Sequence, residues 1–234
     1  MNRADYADAL RALPADGVAS YLVAHSGLPG PRANLTLLDA AGDVLSRDLA
    51  LDLCGEVEEY LACCGTVALG RLLLEGDQSQ VARLTALAAD ERWRVREAAA
   101  IAAQRIGDRD PVLLRDLVAQ WTADPNPLVV RAGVAAICEP RLLAVPETAA
   151  AAIDACQVAT DHLARTPSEH RRSPAVRTLR QGLGYCWSVA IVGDPDAGLP
   201  AFAALDVTDP DLAWVVRENR KKKRLAGLVD ALPG

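Results

Sequence analysis

Apolar residues recur at helical spacing along most of the chain. In residues 88–108, Val95, Ala98, Ala102 and Ile106 fall on one face of a helix with 3.6 residues per turn. Breakers such as the "GDRDP" stretch at 107–111 separate one periodic segment from the next, and Asp or Pro stands where each new helix should begin. No segment has a persuasive strand pattern. The sequence therefore predicts an all-α protein.

The helical segments recur in pairs, and the second helix of each pair carries a common Val-Arg signature. Aligning the pairs on this signature places Arg96, Arg131, Arg177 and Arg217 at equivalent positions, 35, 46 and 40 residues apart. The longer middle interval predicts an insertion around residues 163–174. The first helices of the pairs are "QVARLTALAA", "PVLLRDLVAQW", "PETAAAAIDACQVATDHL" and "GLPAFAAL". Two-helix repeats of roughly 40 residues are typical of α-solenoids.

The Asp-x(4–5)-Val-Arg-x-x-Ala pattern, over about residues 80–225, resembles the HEAT-type α-helical repeats. The resemblance implies a right-handed α-solenoid of HEAT-like helical hairpins with a concave inner face. We expect an irregular helical N-terminal cap over residues 1–55 and repeats over 56–234, in a single continuous domain. In this class the recurring Asp and Arg commonly bond across neighbouring repeats. That structural role is the alternative to a functional one for the four arginines.

Four short features are also similar to the DNA alkylation-repair glycosylases that are built from HEAT-like repeats. They are the turn formed by Gly27, Leu28, Pro31 and Arg32, the pair Trp93 and Glu97, Arg131, and Trp187. Glu97 stands where that family has Asp, and the family's Trp-Trp-Asp run is absent. The resemblance implies that the Trp faces hold a cationic alkylated purine, that Glu97 stabilises the sugar cation or orients water, and that Arg131 binds a phosphate.

The aromatic residues also have a purely structural interpretation. Trp214 and Glu218 repeat the spacing of Trp93 and Glu97, so this pair could be a feature of the repeat. A Trp in a chain with only 4 % aromatic residues is often a large packing anchor. Tyr185 and Trp187 lie among small residues, where their rings either line a groove and contact a ligand or fill gaps in the packing.

A basic segment near the C-terminus contrasts with the acidic balance of the whole chain. The net charge is -6, so the protein as a whole is a poor non-specific binder of nucleic acid. The segment "RENRKKKRL" at 217–225 nevertheless predicts a basic edge that binds phosphate or a partner. The residues assigned to this edge are Arg177, Arg180, Arg217, Arg220, Lys221 and Lys222, with Arg171 and Arg172 nearby. The alternative is a solvated helix end whose cations favour the helix dipole.

The remaining chemistry of the sequence is sparse. The six cysteines form no Cys-x-x-Cys pair, and their apolar surroundings predict buried, reduced thiols in a cytoplasmic protein rather than a zinc site. No apolar run approaches the roughly 20 residues of a membrane span, and we expect no cofactor. We predict a non-catalytic scaffold that holds a macromolecular partner, most simply a protein, in its concave groove. The residues expected to line this groove are Trp93, Arg131, Trp187 and Arg217. The alternative is a DNA-binding, alkylpurine-removing protein that uses the basic edge.

Overall fold

The computed structural model describes residues 1–228 of the 234-residue chain. Every regular element in this range is helical, so the all-α prediction is confirmed for the described residues. Residues 229–234, which the predicted repeat region includes, lie outside the described residues. In residues 1–228 no helix is both long enough and apolar enough to cross a lipid bilayer.

The chain forms two compact units, of which the first is Met1–Arg109 and the second begins at Asp110. The predicted boundary between residues 55 and 56 lies inside the first unit. The first unit contains seven α-helices among its residues: α1 Arg3–Ala12, α2 Ala15–Ala24, α3 Leu35–Val44, α4 Arg47–Cys54, α5 Glu59–Leu74, α6 Gln80–Leu87 and α7 Trp93–Gly107.

Helix α5 is the centre of the first unit, where it packs against α3, α4, α6 and α7. Its residues are apolar around nearly the whole circumference, as expected for a helix covered on all sides. Two glycines allow the close approach of neighbouring backbones. A Cβ at Gly65 would lie 2.5 Å from the Cys54 backbone nitrogen, and one at Gly70 would lie 2.6 Å from the Ala102 carbonyl oxygen.

An ion-pair cluster links α1, α3 and α7 at the edge of this unit. The Arg105 guanidinium, which is largely buried, donates to both Asp39 and Asp43, and Arg3 donates to Asp43 at 2.7 Å. Burial alone would raise the pKa of Asp43, but the hydrogen bonds from Arg3 and Arg105 outweigh it and lower the pKa below its usual value.

The second unit contains six α-helices within the described residues, at the positions expected for the repeat pairs. They are α8 Pro111–Thr122, α9 Pro127–Ile137, α10 Pro146–Arg165, α11 Pro174–Gly193, α12 Pro195–Ala203 and α13 Pro210–Arg220. Short 3₁₀ turns cover Leu142–Ala144 and Lys223–Leu225. The residues of the predicted insertion, 163–174, cover the last residues of α10, the interval 166–173 and the first residue of α11.

The sequence begins five of these helices in the same way, with a capping side chain followed by Pro. The caps of α8, α9, α11, α12 and α13 are Asp110, Asn126, Ser173, Asp194 and Asp209, and each accepts a hydrogen bond from a backbone N–H of the first turn. Proline fits the first turn because its missing N–H has no helical partner there.

Helix packing in the second unit follows a regular order. The first helices of successive pairs contact each other, α8 with α10 and α10 with α12, and the second helices do the same, α9 with α11 and α11 with α13. The two helices of the pairs α8/α9 and α10/α11 also pack together, whereas α12 packs on α10 and α11. Helix α11 is thereby covered by α9, α10, α12 and α13, which explains why its apolar run "GLGYCWSVAIVG" is largely buried.

Candidate functional site

Trp93, the first helical residue of α7, lies on the surface of the first unit. Its side chain is 55 % exposed, and the Arg94 guanidinium lies 4.5 Å from the centre of its ring. The same guanidinium donates to Glu59 on α5 at 2.8 Å, so the cation that covers the Trp93 ring is fixed by an ion pair. Glu97 lies one turn further along α7 and is half-buried. The Trp93 ring is therefore accessible at the start of α7, with Arg94 over one of its faces.

The first Val-Arg arginine, Arg96, bonds to its own helix start. Its guanidinium donates to the carbonyl oxygens of Asp90 and Glu91, at 2.6 and 2.9 Å. Arg92 similarly pairs with Asp90, and the hydrogen bonds from Arg92 hold the pKa of that carboxyl below its usual value. These arginines stabilise the turn that leads into α7.

Trp187, predicted as a base or ligand contact, is fully buried in the second unit. Its indole Nε1–H donates to the Thr160 hydroxyl at 3.0 Å. The centre of its ring lies 5.5 Å from the centre of the Phe202 ring. The ligand-contact prediction is therefore wrong for this structure, and the alternative that the ring fills the core is correct. The physical reason is the position of Trp187 on α11, which neighbouring helices surround.

Arg131 on α9 is half-buried against α11. A Cβ at position 182 would lie 3.1 Å from its Cγ, so the stem of the arginine occupies the space that Gly182 leaves open. Arg131 therefore contributes to the packing of the second unit whatever else it binds.

Arg180, which was assigned to the basic edge, and Arg171, which was placed near it, both bond to the start of α13. Arg171 donates to Asp209 at 2.5 Å, and Arg180 donates to Asp211 at 2.6 Å while its guanidinium lies 4.8 Å from the Trp214 ring. Their charges are thus compensated by carboxylates. Among the described residues, the ion pairs to the start of α13 come from Arg171 and Arg180 and not from Arg177 or Arg217.

The other basic residues of the predicted edge lie in two places: Arg177 in the first turn of α11, and Arg217, Arg220 and Lys221 at the end of α13. Arg177 and Arg217 are exposed, as are Arg220 and Lys221. Lys221 donates to Glu218 at 2.6 Å, and this hydrogen bond lowers the pKa of the glutamate. A groove of about 400 Å³ runs beside Arg217, between α13 and Val207.

Tyr185 is the exposed aromatic residue of this region, with 44 % of its surface accessible. The Arg224 guanidinium lies 4.6 Å from the centre of its ring and donates to its hydroxyl at 2.9 Å. The Lys222 ammonium lies 5.6 Å from the same ring centre. Since Tyr185 projects from α11 and the two cations follow α13, this cluster joins the basic segment to the exposed side of α11.

A second groove, of about 590 Å³, is one that the sequence did not predict. It lies between the start of α9, the end of α10 and the 166–173 interval, and its polar lining includes His162, Arg165 and His170. Burial lowers the pKa of His162, which favours a neutral imidazole. The concentration of Pro, His and Arg residues in "TPSEHRRSP", residues 166–174, is the sequence feature from which this groove could have been predicted.

All six cysteines are buried and none forms a disulfide, as predicted. Burial raises the pKa of the Cys54 thiol to about 11, so this thiol stays protonated at neutral pH. The sulfur atoms of Cys138 and Cys156 lie 3.7 Å apart. In residues 1–228 no group of three or more His, Cys, Asp or Glu side chains is placed to hold a metal ion.

Comparison with family models, curated proteins and solved structures finds no match to this chain.

Proposed function

We propose that this protein is a non-catalytic binding protein of the HEAT-like helical-repeat type, which holds a macromolecular partner, most simply a protein. Support for the repeat architecture comes from the second unit, where first helices contact first helices and second helices contact second helices. Helical hairpins that stack as repeats make contacts of this kind. The recurring cap-and-proline starts of the helices support the same interpretation.

The observation that carries the proposal is the exposure of the Tyr185 cluster. The aromatic ring and its two cations lie on an open surface of the second unit, beside shallow grooves. Trp187, the second aromatic ring expected to enclose a cationic base, lies in the core instead. Exposed aromatic and arginine side chains are the residue types that contribute most to protein interfaces.

Affinity purification of the full chain from its source cells tests this function. The wild-type chain is expected to retain a specific partner, whose binding is then reconstituted from purified components and measured by calorimetry. A double variant, Tyr185→Ala with Arg217→Glu, is expected to weaken that binding while its circular dichroism stays unchanged, since both side chains are exposed. The control is Arg11→Glu, which reverses an exposed charge on α1. If no partner binds at any surface of the folded chain, the proposal is wrong.

A second candidate function, removal of alkylated purines from DNA, is favoured by one observation. The Trp93 side chain is 55 % exposed and lies one helical turn from Glu97. Arg94 lies over one face of its ring, so a cationic base would be attracted by the opposite face. Release of base from N7-methylated DNA by the wild type, and its loss in Glu97→Gln, would establish this activity. If the wild type releases no base and shows no salt-sensitive binding to DNA, this candidate is excluded.

A further inference from the structure

An apolar stripe runs along the exposed side of α11. Tyr185, Val189 and Val192 are four and three residues apart and therefore share one face of the helix. Tyr185 and Val192 are exposed, whereas Val189 between them is buried at the base of this face. Val192 is 46 % exposed, and it lines a groove of about 430 Å³ together with Val189, Pro140, Leu143, Ala144 and Gly193. The opposite wall comes from the 3₁₀ turn Leu142–Ala144. A Cβ at Gly193 would lie 2.9 Å from Leu143 Cδ1, so the glycine allows this turn to lie against α11.

Positive charge is concentrated at one end of this groove. Arg224 lines the groove, and it is oriented by its contact with the Tyr185 ring and by its hydrogen bond to the Tyr185 hydroxyl. Lys222 lies against the same ring. Within the described chain neither cation is in ion-pair contact with a carboxylate, in contrast to Lys221, which pairs with Glu218. The two cations at the Tyr185 ring are thus positioned by an aromatic residue and not by an ion pair with a carboxylate of the described residues.

The chemistry of this surface defines what fits it. An aliphatic groove favours a bulky apolar side chain, because burying such a side chain removes its surface from water. Guanidinium and ammonium groups at the groove end bind carboxylates through charge-assisted hydrogen bonds. Single-stranded nucleic acid would instead need open aromatic faces for base stacking, but Arg224 and Lys222 already lie over the Tyr185 ring. An acidic peptide with bulky aliphatic residues matches both halves of the surface.

We propose that the second unit binds an acidic, leucine-containing segment of a protein partner. The leucine side chain enters the groove between α11 and the Leu142–Ala144 turn, and flanking carboxylates bind Arg224 and Lys222. This inference rests on the proposed function as a binding protein and specifies the chemistry of the partner.

The probe for this site is a fluorescein-labelled peptide of about eight residues, Glu and Asp with two central Leu, which spans about 28 Å when extended. Fluorescence anisotropy with the full chain is expected to give saturable binding. A peptide of equal charge with Ser in place of Leu is expected to bind about tenfold or more weakly, because the groove loses its apolar occupant. Equal binding of the two peptides overturns the proposal. So does a single-stranded oligodeoxythymidine that binds more tightly than the leucine peptide.

Two pairs of variants test whether peptide binding depends on this groove or only on the overall charge and hydrophobicity of the surface. Arg224→Glu is expected to weaken leucine-peptide binding about tenfold or more, whereas Lys223→Glu, the same charge change at an exposed neighbouring residue, should change it less than about threefold. Val192→Asp should weaken binding to a similar extent, and its control Val112→Asp, at an exposed valine of α8, should leave it unchanged. Equal effects within either pair contradict the assignment. Circular dichroism confirms that each variant is folded.

Failure of this inference is distinguishable from failure of the proposed function. If a purified partner binds the full chain but Arg224→Glu and Val192→Asp leave its affinity unchanged, the protein is a binding protein that uses another surface. If no partner exists at all, the function itself is wrong.

Discussion

The hydrogen bond between Trp187 and Thr160 gives the sharpest prediction about the core of the second unit. The indole Nε1–H donates to the Thr160 hydroxyl at 3.0 Å, and that hydroxyl donates to the Cys156 carbonyl oxygen one turn earlier at 2.7 Å. Both side chains are buried. We consider two single substitutions, Trp187→Phe and Thr160→Val, and the double variant that combines them.

The structure sets the size of each effect. Trp187→Phe removes one hydrogen bond, about 1 kcal/mol, and leaves a small cavity that costs about 1 kcal/mol more. Thr160→Val leaves the indole N–H buried without an acceptor, which costs about 1–3 kcal/mol. In the double variant no unpaired N–H remains, because phenylalanine has none. Its loss of stability should therefore be smaller than the sum of the single losses by about 1 kcal/mol.

Urea unfolding of the four proteins, followed by far-UV circular dichroism, measures these free energies. We expect Trp187→Phe to lose about 2 kcal/mol and the double-mutant cycle to be non-additive. Peptide or partner binding by Trp187→Phe should equal that of the wild type, because the ring does not reach the surface. Unchanged stability in Trp187→Phe, or strict additivity, would show that the indole is not bonded in the core as described.

Three further predictions concern the first unit and the thiols. Gly70→Ala should destabilise the protein by about 3 kcal/mol in urea unfolding, because its Cβ would meet the Ala102 carbonyl oxygen at 2.6 Å. Gly17→Ala on α2, whose Cβ would meet nothing closer than 3.5 Å, should be neutral or stabilising by up to about 1 kcal/mol. Equal effects of the two substitutions contradict the packing. The lowered pKa of Asp43 contributes stability that is present above about pH 4 and is lost as the pH falls through the folded-state pKa. Arg105→Gln should therefore be less stable than the wild type at pH 7 and should lose less of its unfolding free energy on acidification. An unchanged pH dependence of stability refutes the pairing. The six buried thiols should react with Ellman's reagent only slowly until urea unfolds the chain, and rapid reaction in the native state would contradict their burial.

The helix positions of the second unit were predictable because the sequence marks them locally. A capping side chain followed by proline, as in Asp110-Pro111 and Asp209-Pro210, determines where a helix begins without reference to the rest of the fold. The apolar periodicity then identifies the buried face. These signals are short-range, so a single sequence is sufficient to read them.

The roles of individual side chains depended on neighbours that the sequence does not place. Trp93 and Trp187 are the same residue type on amphipathic helices, yet Trp93 lies at an exposed helix start and Trp187 lies within a covered helix. Arg180 and Arg177 are three residues apart on α11, but only Arg180 faces the carboxylate of Asp211 at the start of α13. Helical periodicity locates a face but not the group that packs against it, and this limits prediction of the site.

The central claim is that the protein acts by binding a partner through the exposed side of α11 and the basic segment, residues 217–225. Hydrogen–deuterium exchange of the full chain, with and without its reconstituted protein partner, tests this most directly. The account predicts that the partner slows exchange in residues 183–193 and 217–225. Slower exchange confined to the helix start around Trp93, or slower exchange with methylated DNA in place of a protein, would contradict it.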